Sequence, residues 1–164
     1  ANGGLHRLSP DGAITSFMPR AGDPRSLPDA GVGQLAMTPD GTLWIGTKNG
    51  VARWTGRDFE RLVPEALNSQ AVNGLSVDVD GALWIGTPRG VSVRHPDGSV
   101  SRSPWRGYGK TLFHMLLRDR GGIFWLDTVD GLGRDSDGVV LNVALYSNSA
   151  HGAVRPSWLT GDKD

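Results

Sequence analysis

Thr38-Pro39-Asp40-Gly41-Thr42-Leu43-Trp44-Ile45-Gly46-Thr47, continued by Lys48-Asn49-Gly50-Val51, returns forty residues later as Asp78-Val79-Asp80-Gly81-Ala82-Leu83-Trp84-Ile85-Gly86-Thr87, continued by Pro88-Arg89-Gly90-Val91. A looser copy follows after forty-one more, Asp119-Arg120-Gly121-Gly122-Ile123-Phe124-Trp125-Leu126-Asp127-Thr128, then Val129-Asp130-Gly131-Leu132. Leu35, Leu75 and Leu116 each precede their Trp by nine residues, so register holds through the unit. Self-similarity at a fixed period marks a repeat architecture.

One unit contains four strand candidates. Strand A is Val72 to Val77, B is Leu83 to Thr87, C is Gly90 to His95, and D runs from about Ser99 to Ser103. Asp80-Gly81, Pro88-Arg89 and Pro96-Asp97-Gly98 join them, and such turn pairs suit hairpins. Four antiparallel strands in about forty residues is the format of a β-propeller blade. Amphipathic segments of helical length are absent. The fold class is therefore all-β, with about three complete blades and partial ones at either end, a fragment of a larger propeller. The units fall at approximately 1–29, 30–69, 70–110, 111–150 and 151–164. Gly3-Gly4-Leu5-His6-Arg7 resembles the strand C portion Gly50-Val51-Ala52-Arg53, and Asp162-Lys163-Asp164 reads as the opening of another turn.

The whole chain, 1–164, is read as this one fragment, and its composition suits a folded domain: 38% hydrophobic and 21% charged residues. Glycine, at 24 residues, is about twice its usual share of ~7%, which a fold made of turns requires. Seventeen Lys and Arg balance seventeen Asp and Glu, so no net field draws in nucleic acid. With no cysteine there are no thiolate metal sites or disulfides. No apolar run reaches the length of a spanning helix, and Ala1-Asn2-Gly3 does not open a signal peptide. The expectation is a mature form or an excerpt without direct membrane contact.

Trp44, Trp84 and Trp125 are expected to pack between neighbouring blades, with the Gly-Thr after each allowing close approach of backbone. Asp11, Asp40, Asp80, Asp97 and Asp137 belong to Asp-Gly turns, where the carboxylate bonds nearby amides without needing an ion. His6, His95, His114 and His151 form no zinc-protease pair, and no phosphate loop or nucleophile elbow occurs. Neither metal, nor cofactor, nor catalytic residue is therefore assigned.

The loop Ser103-Pro104-Trp105-Arg106-Gly107-Tyr108-Gly109-Lys110 is richer in aromatic and basic groups. Alternating strand direction puts D-to-A and B-to-C connections on one face of the disc. Lys48, Asn49 and Arg89 then share a face with Trp105, Arg106, Tyr108 and Lys110. Rings stack on sugars and guanidinium groups bond carboxylate or sulfate, so these seven residues are the candidate contacts of an anionic or carbohydrate ligand. The alternative is a solvated loop whose Trp105 covers a blade edge.

Asp-Gly-x-Leu-Trp-Ile-Gly-Thr-x-x-Gly-Val, together with the upstream Asp23-Pro24-Arg25-Ser26-Leu27-Pro28, resembles the two-component regulator propeller repeat. The resemblance implies a seven-bladed propeller in the periplasmic, extracytoplasmic sensor region of a bacterial membrane receptor. A histidine kinase or diguanylate cyclase would supply the output. Its expected partners are a small-molecule or carbohydrate ligand, the rest of the receptor's propeller and a second copy in a homodimer. Leu126-Asp127-Thr128 departs from the Ile-Gly-Thr pattern, and Asp127 is either a ligand contact or drift.

Two other functions compete. Streptogramin-lyase-like propellers carry Asp-Gly-x-Leu-Trp-Phe-Thr-Glu where this chain has Ile-Gly-Thr; a lyase or hydrolase would use His114 or His151 as general base. A self-association scaffold would use exposed blade edges.

Overall fold

The computed structural model describes residues 3–62, 67, 71–102, 113–119, 121–128, 131–136 and 139–145, and for 113–117, 128, 131, 136 and 139–145 the backbone alone. Three four-stranded antiparallel sheets follow one another along the chain. The first complete blade is β3 (Val32–Met37), β4 (Leu43–Thr47), β5 (Gly50–Trp54) and β6 (Phe59–Arg61). The second is β7 (Gly74–Val77), β8 (Leu83–Thr87), β9 (Gly90–Arg94) and β10 (Val100–Arg102). The third is β11 (Phe113–Arg118), β12 (Phe124–Thr128), β13 (Gly131–Ser136) and β14 (Val139–Leu145). Before them β1 (Leu5–Leu8) and β2 (Ile14–Phe17) pair as a hairpin, the C and D strands of a partial blade. Three complete blades and a partial one agree with the repeat reading; the expected last unit, 151–164, lies outside the described residues.

Register follows the repeat as well. Leu35 pairs with Ile45, Leu75 with Ile85 and Leu116 with Leu126. Strand A of the second blade starts two residues later than its sequence pattern suggests. The Val72 amide is drawn to the previous blade, donating to Thr47 O at 3.0 Å, and only from Gly74 does the ladder form. Strand C ends at Arg94, because the His95 amide turns back to Ser99 O.

Each Leu-Trp-Ile-Gly-Thr strand is buried almost throughout because a blade is covered on both faces. Side chains on successive strand residues point to opposite faces. Trp44 and Val51 therefore meet the second blade, in a cluster with Val72, Leu75, Leu83 and Ile85. Ile45 and Ala52 face the other way and pack with Leu27 and Phe59, against Leu5 and Phe17 of the partial blade. Phe17, Trp54 and Phe59 add a ring cluster there, with centroids 4.8 to 5.5 Å apart. Most of the core thus lies between blades, and burial of each large apolar side chain contributes about 1.5–3 kcal/mol.

The Gly and Thr that close the motif strand have separate reasons. A Cβ on Gly46 would come 2.8 Å from Val72 Cγ1, so the first blade requires glycine for the approach of its neighbour's side chain. At Gly86 the neighbour is the Gly74 backbone at 3.6 Å, an ordinary contact. Thr47 and Thr87 are buried, and each hydroxyl closes the next turn by donating to the Gly50 or Gly90 carbonyl at 2.8 and 2.9 Å.

Candidate functional site

Lys48, Asn49 and Arg89 occupy the B-to-C turns and are exposed. Their backbone is held from beneath: the Thr47 and Thr87 hydroxyls accept from the amides of Asn49 and Arg89 at 3.1 and 3.2 Å. Lys48 N donates to Gly31 O at 3.1 Å, which brings the first B-to-C turn against the D-to-A connection. The two kinds of connection therefore share a face in the first blade, as alternating strand direction requires. Trp105, Arg106, Tyr108 and Lys110 lie outside the described residues.

The D-to-A connection before the first blade has a structural task of its own. Residues 23–27 run along the outer strand β6, where Phe59 N donates to Arg25 O at 3.0 Å. The Arg61 guanidinium donates to the carbonyls of Asp23, Ser26 and Leu27 at 3.1 to 3.3 Å. Leu27 is wholly buried in the core. An unpaired outer strand invites association with other chains, and this segment covers it. Leu67 is likewise buried, in the cluster with Val72, Leu75 and Ile85. Both leucines stand seventeen residues before their Trp, and so does Tyr108 before Trp125. That spacing was the available sequence signal for an edge-covering position.

Turn carboxylates of the opposite face bond amides as expected. Asp11, Asp40 and Asp97 accept from Ala13, Thr42 and Ser99 at 3.2, 3.1 and 2.8 Å. Asp80 differs: its own amide donates to Asp78, which takes over the turn. Asp137 is outside the described residues. Hydrogen bonds lower the pKa of three turn carboxylates. They come chiefly from the Thr38 hydroxyl to Asp40, the Ser99 hydroxyl to Asp97 and the Trp125 indole to Asp119. Among the described residues no cluster of three metal-ligating side chains occurs.

The repeat tryptophans pack across blades. Trp44 lies in the core of the next blade, and the Trp84 ring meets Phe124 of the third blade at 4.3 Å. His6, in β1, bonds the Ser16 hydroxyl and Gly3 O, and His95, just past β9, bonds the Ser101 hydroxyl. The side chains of His114 and His151, the general-base candidates, are outside the described set. Asp127 sits half-buried in β12 at the register of Gly46 and Gly86.

The model of the two component regulator propeller family matches residues 26–49 and 66–89. Comparison with curated proteins finds no match. Among solved structures, the chain is similar to the extracellular domain assigned to a hybrid two component system of B. thetaiotaomicron: 22% identity, a TM-score of 0.71, and coverage of 90% of this chain and 20% of that one. A second such domain from the same organism gives 22% identity and a TM-score of 0.69, over 83% of this chain and 20% of that one. Virginiamycin B lyase from Staphylococcus aureus gives 16% identity and a TM-score of 0.60, over 83% and 46%. At such identities the likeness is one of fold, and the chain spans about a fifth of the two extracellular domains. The two matched segments carry the Leu-Trp-Ile-Gly-Thr strands and the buried Leu27 and Leu67 in one register, and each is a repeat of the two-component regulator propeller type.

Proposed function

We propose that this chain is part of the periplasmic sensor region of a bacterial two-component-type receptor. There it binds a small-molecule or carbohydrate ligand and passes the event to an output domain without catalysing a reaction itself. The observation that carries this reading is the pair of two-component regulator propeller repeats in consecutive blades. Support comes also from the exposed Lys48, Asn49 and Arg89, whose turns are anchored by buried threonines and whose side chains are free to meet a ligand. The rest of the receptor's propeller and a second copy of the chain are its protein partners in this reading.

The test is full-length receptor carrying Lys48→Ala, Asn49→Ala and Arg89→Ala together, with output activity read in cells given a panel of acidic and neutral oligosaccharides. A response present in the wild type and lost in the triple variant at equal receptor level is the expected result. An unchanged response removes this face from sensing, and a wild-type receptor silent to the whole panel removes the carbohydrate class.

A further inference from the structure

The residue six positions before each repeat Trp differs between blades: Thr38, Asp78 and Asp119. In the second and third blades that carboxylate accepts from the indole, Trp84 Nε1 to Asp78 Oδ2 at 3.3 Å and Trp125 Nε1 to Asp119 Oδ2 at 2.9 Å. In the first blade the Thr38 hydroxyl is turned elsewhere, to Asp40 Oδ1 at 2.6 Å and Thr42 O at 3.1 Å. Trp44 is 4% exposed, and its Nε1 is buried with no hydrogen-bond partner. Buried donors in folded proteins are nearly always satisfied, so an orphan calls for an acceptor.

Trp44 forms part of the wall of a groove of about 330 Å³ between the first and second complete blades, on the face of the A-to-B turns. Thr38, Asp40, Arg53, Asp80 and Arg94 line it too. Arg94 lies over the Trp44 ring at 4.7 Å, and its side chain bonds His95 O at 3.2 Å but no carboxylate among the described residues. Arg53 is held by Glu60, and both oxygens of Asp40 are held by Thr38 and Thr42. The Asp80 carboxylate has no bonded partner among the described residues. The groove therefore offers two donor groups, the remaining N–H groups of Arg94 and the indole N–H, and one acceptor, the Asp80 carboxylate.

We propose that this groove binds a small polar molecule through its carboxylate, which takes the place beside Trp44 that Asp78 and Asp119 hold beside the next two tryptophans. Arg94 bonds the same carboxylate, and because it covers the indole it is the part that moves to admit the ligand. Asp80 accepts from hydroxyl or ammonium groups on the ligand's other side. Hydroxyl donors mean a sugar acid and an ammonium donor means an amino acid; the groove's volume suits either. The site is separate from the Lys48 and Arg89 face and stands independently of the sensor reading.

Indole N–H resonances of the chain, followed during titration with glucuronate, alanine, acetate and glucose, test the proposal. Trp44 is identified by its loss in Trp44→Phe. Glucuronate or alanine is expected to move the Trp44 signal at about tenfold lower concentration than acetate, as an added charge-assisted hydrogen bond allows, and glucose to leave it in place. Which of the two acids acts tells a sugar acid from an amino acid. Thr38→Asp supplies the carboxylate internally and should abolish the shift, and Arg94→Gln should weaken binding by about tenfold. No movement with any acid, acetate acting as well as both larger acids, or undiminished binding by Arg94→Gln overturns the proposal. The readout is binding by the chain alone, so failure here leaves the receptor experiment to decide the sensor reading.

Discussion

Gly46 and Gly86 occupy one position of one motif and are under different constraints. A methyl group at residue 46 meets Val72 Cγ1 at 2.8 Å and Gln34 Cβ at 3.3 Å, so the neighbouring blade must shift. At residue 86 it meets only ordinary contacts of 3.6 Å and more. Gly46→Ala should therefore cost about 1–3 kcal/mol, the usual range for overpacking a core, while Gly86→Ala should change stability by less than about 1 kcal/mol. Urea denaturation of both variants measures this, and equal losses would mean that the motif glycine serves both blades alike. The contrast between Trp44 and its two counterparts is of the same kind, since one substitution, Thr38 for Asp, leaves one indole without an acceptor.

At the scale of elements, the segment entering a blade serves first to cover the outer strand of that blade. The Leu27 segment shows this directly along β6, and Leu67, at the same spacing, is also buried in a core. Leu27→Ala or Leu67→Ala should lower stability by about 2–5 kcal/mol, as for other buried leucines. Tyr108 occupies the same spacing before its Trp, so Tyr108→Ala discriminates two roles. Loss of thermal stability without ligand identifies an edge cover; unchanged stability with weakened binding of a sugar or anion identifies a ligand contact. The sequence reading weighed these two roles for Trp105, yet the spacing singles out Tyr108.

Across the whole molecule, carboxylates of the connections share an electrostatic character. Asp23, Asp40, Asp97 and Asp119 are all lowered below the ordinary Asp value, each mainly by hydrogen bonds. A carboxylate with a lower pKa in the folded state stabilises fully above its unfolded value of about 3.9 and loses that contribution as pH falls through the folded value. Melting temperature should accordingly be level down to about pH 5 and fall below about pH 4, with a gentler slope in Asp119→Asn. Calorimetry against pH checks it, and a level Tm down to about pH 2 would contradict it. Each group is exposed or only partly buried and contributes little alone, so repetition around the blades makes the effect visible.

Period and motif sufficed for the architecture because the first two complete blades repeat the same local rules, a Gly-bearing turn, a buried Leu-Trp-Ile-Gly-Thr strand and a threonine-closed hairpin, and the third keeps the turn and the strand pairing. Strand order, antiparallel pairing and register are consequences of those rules within one unit, and all were legible. The family match rests on the same residues. What happens between units was not legible, because it depends on which neighbour stands beside a given copy. Leu35 and Leu75 share a register, yet Leu75 is 6% exposed with β7 lying between β3 and β11, and Leu35 is 53% exposed. The groove at Trp44 belongs to this second class. It combines a residue missing from one blade with Arg94 and Asp80 from the next, and only packing brings them together.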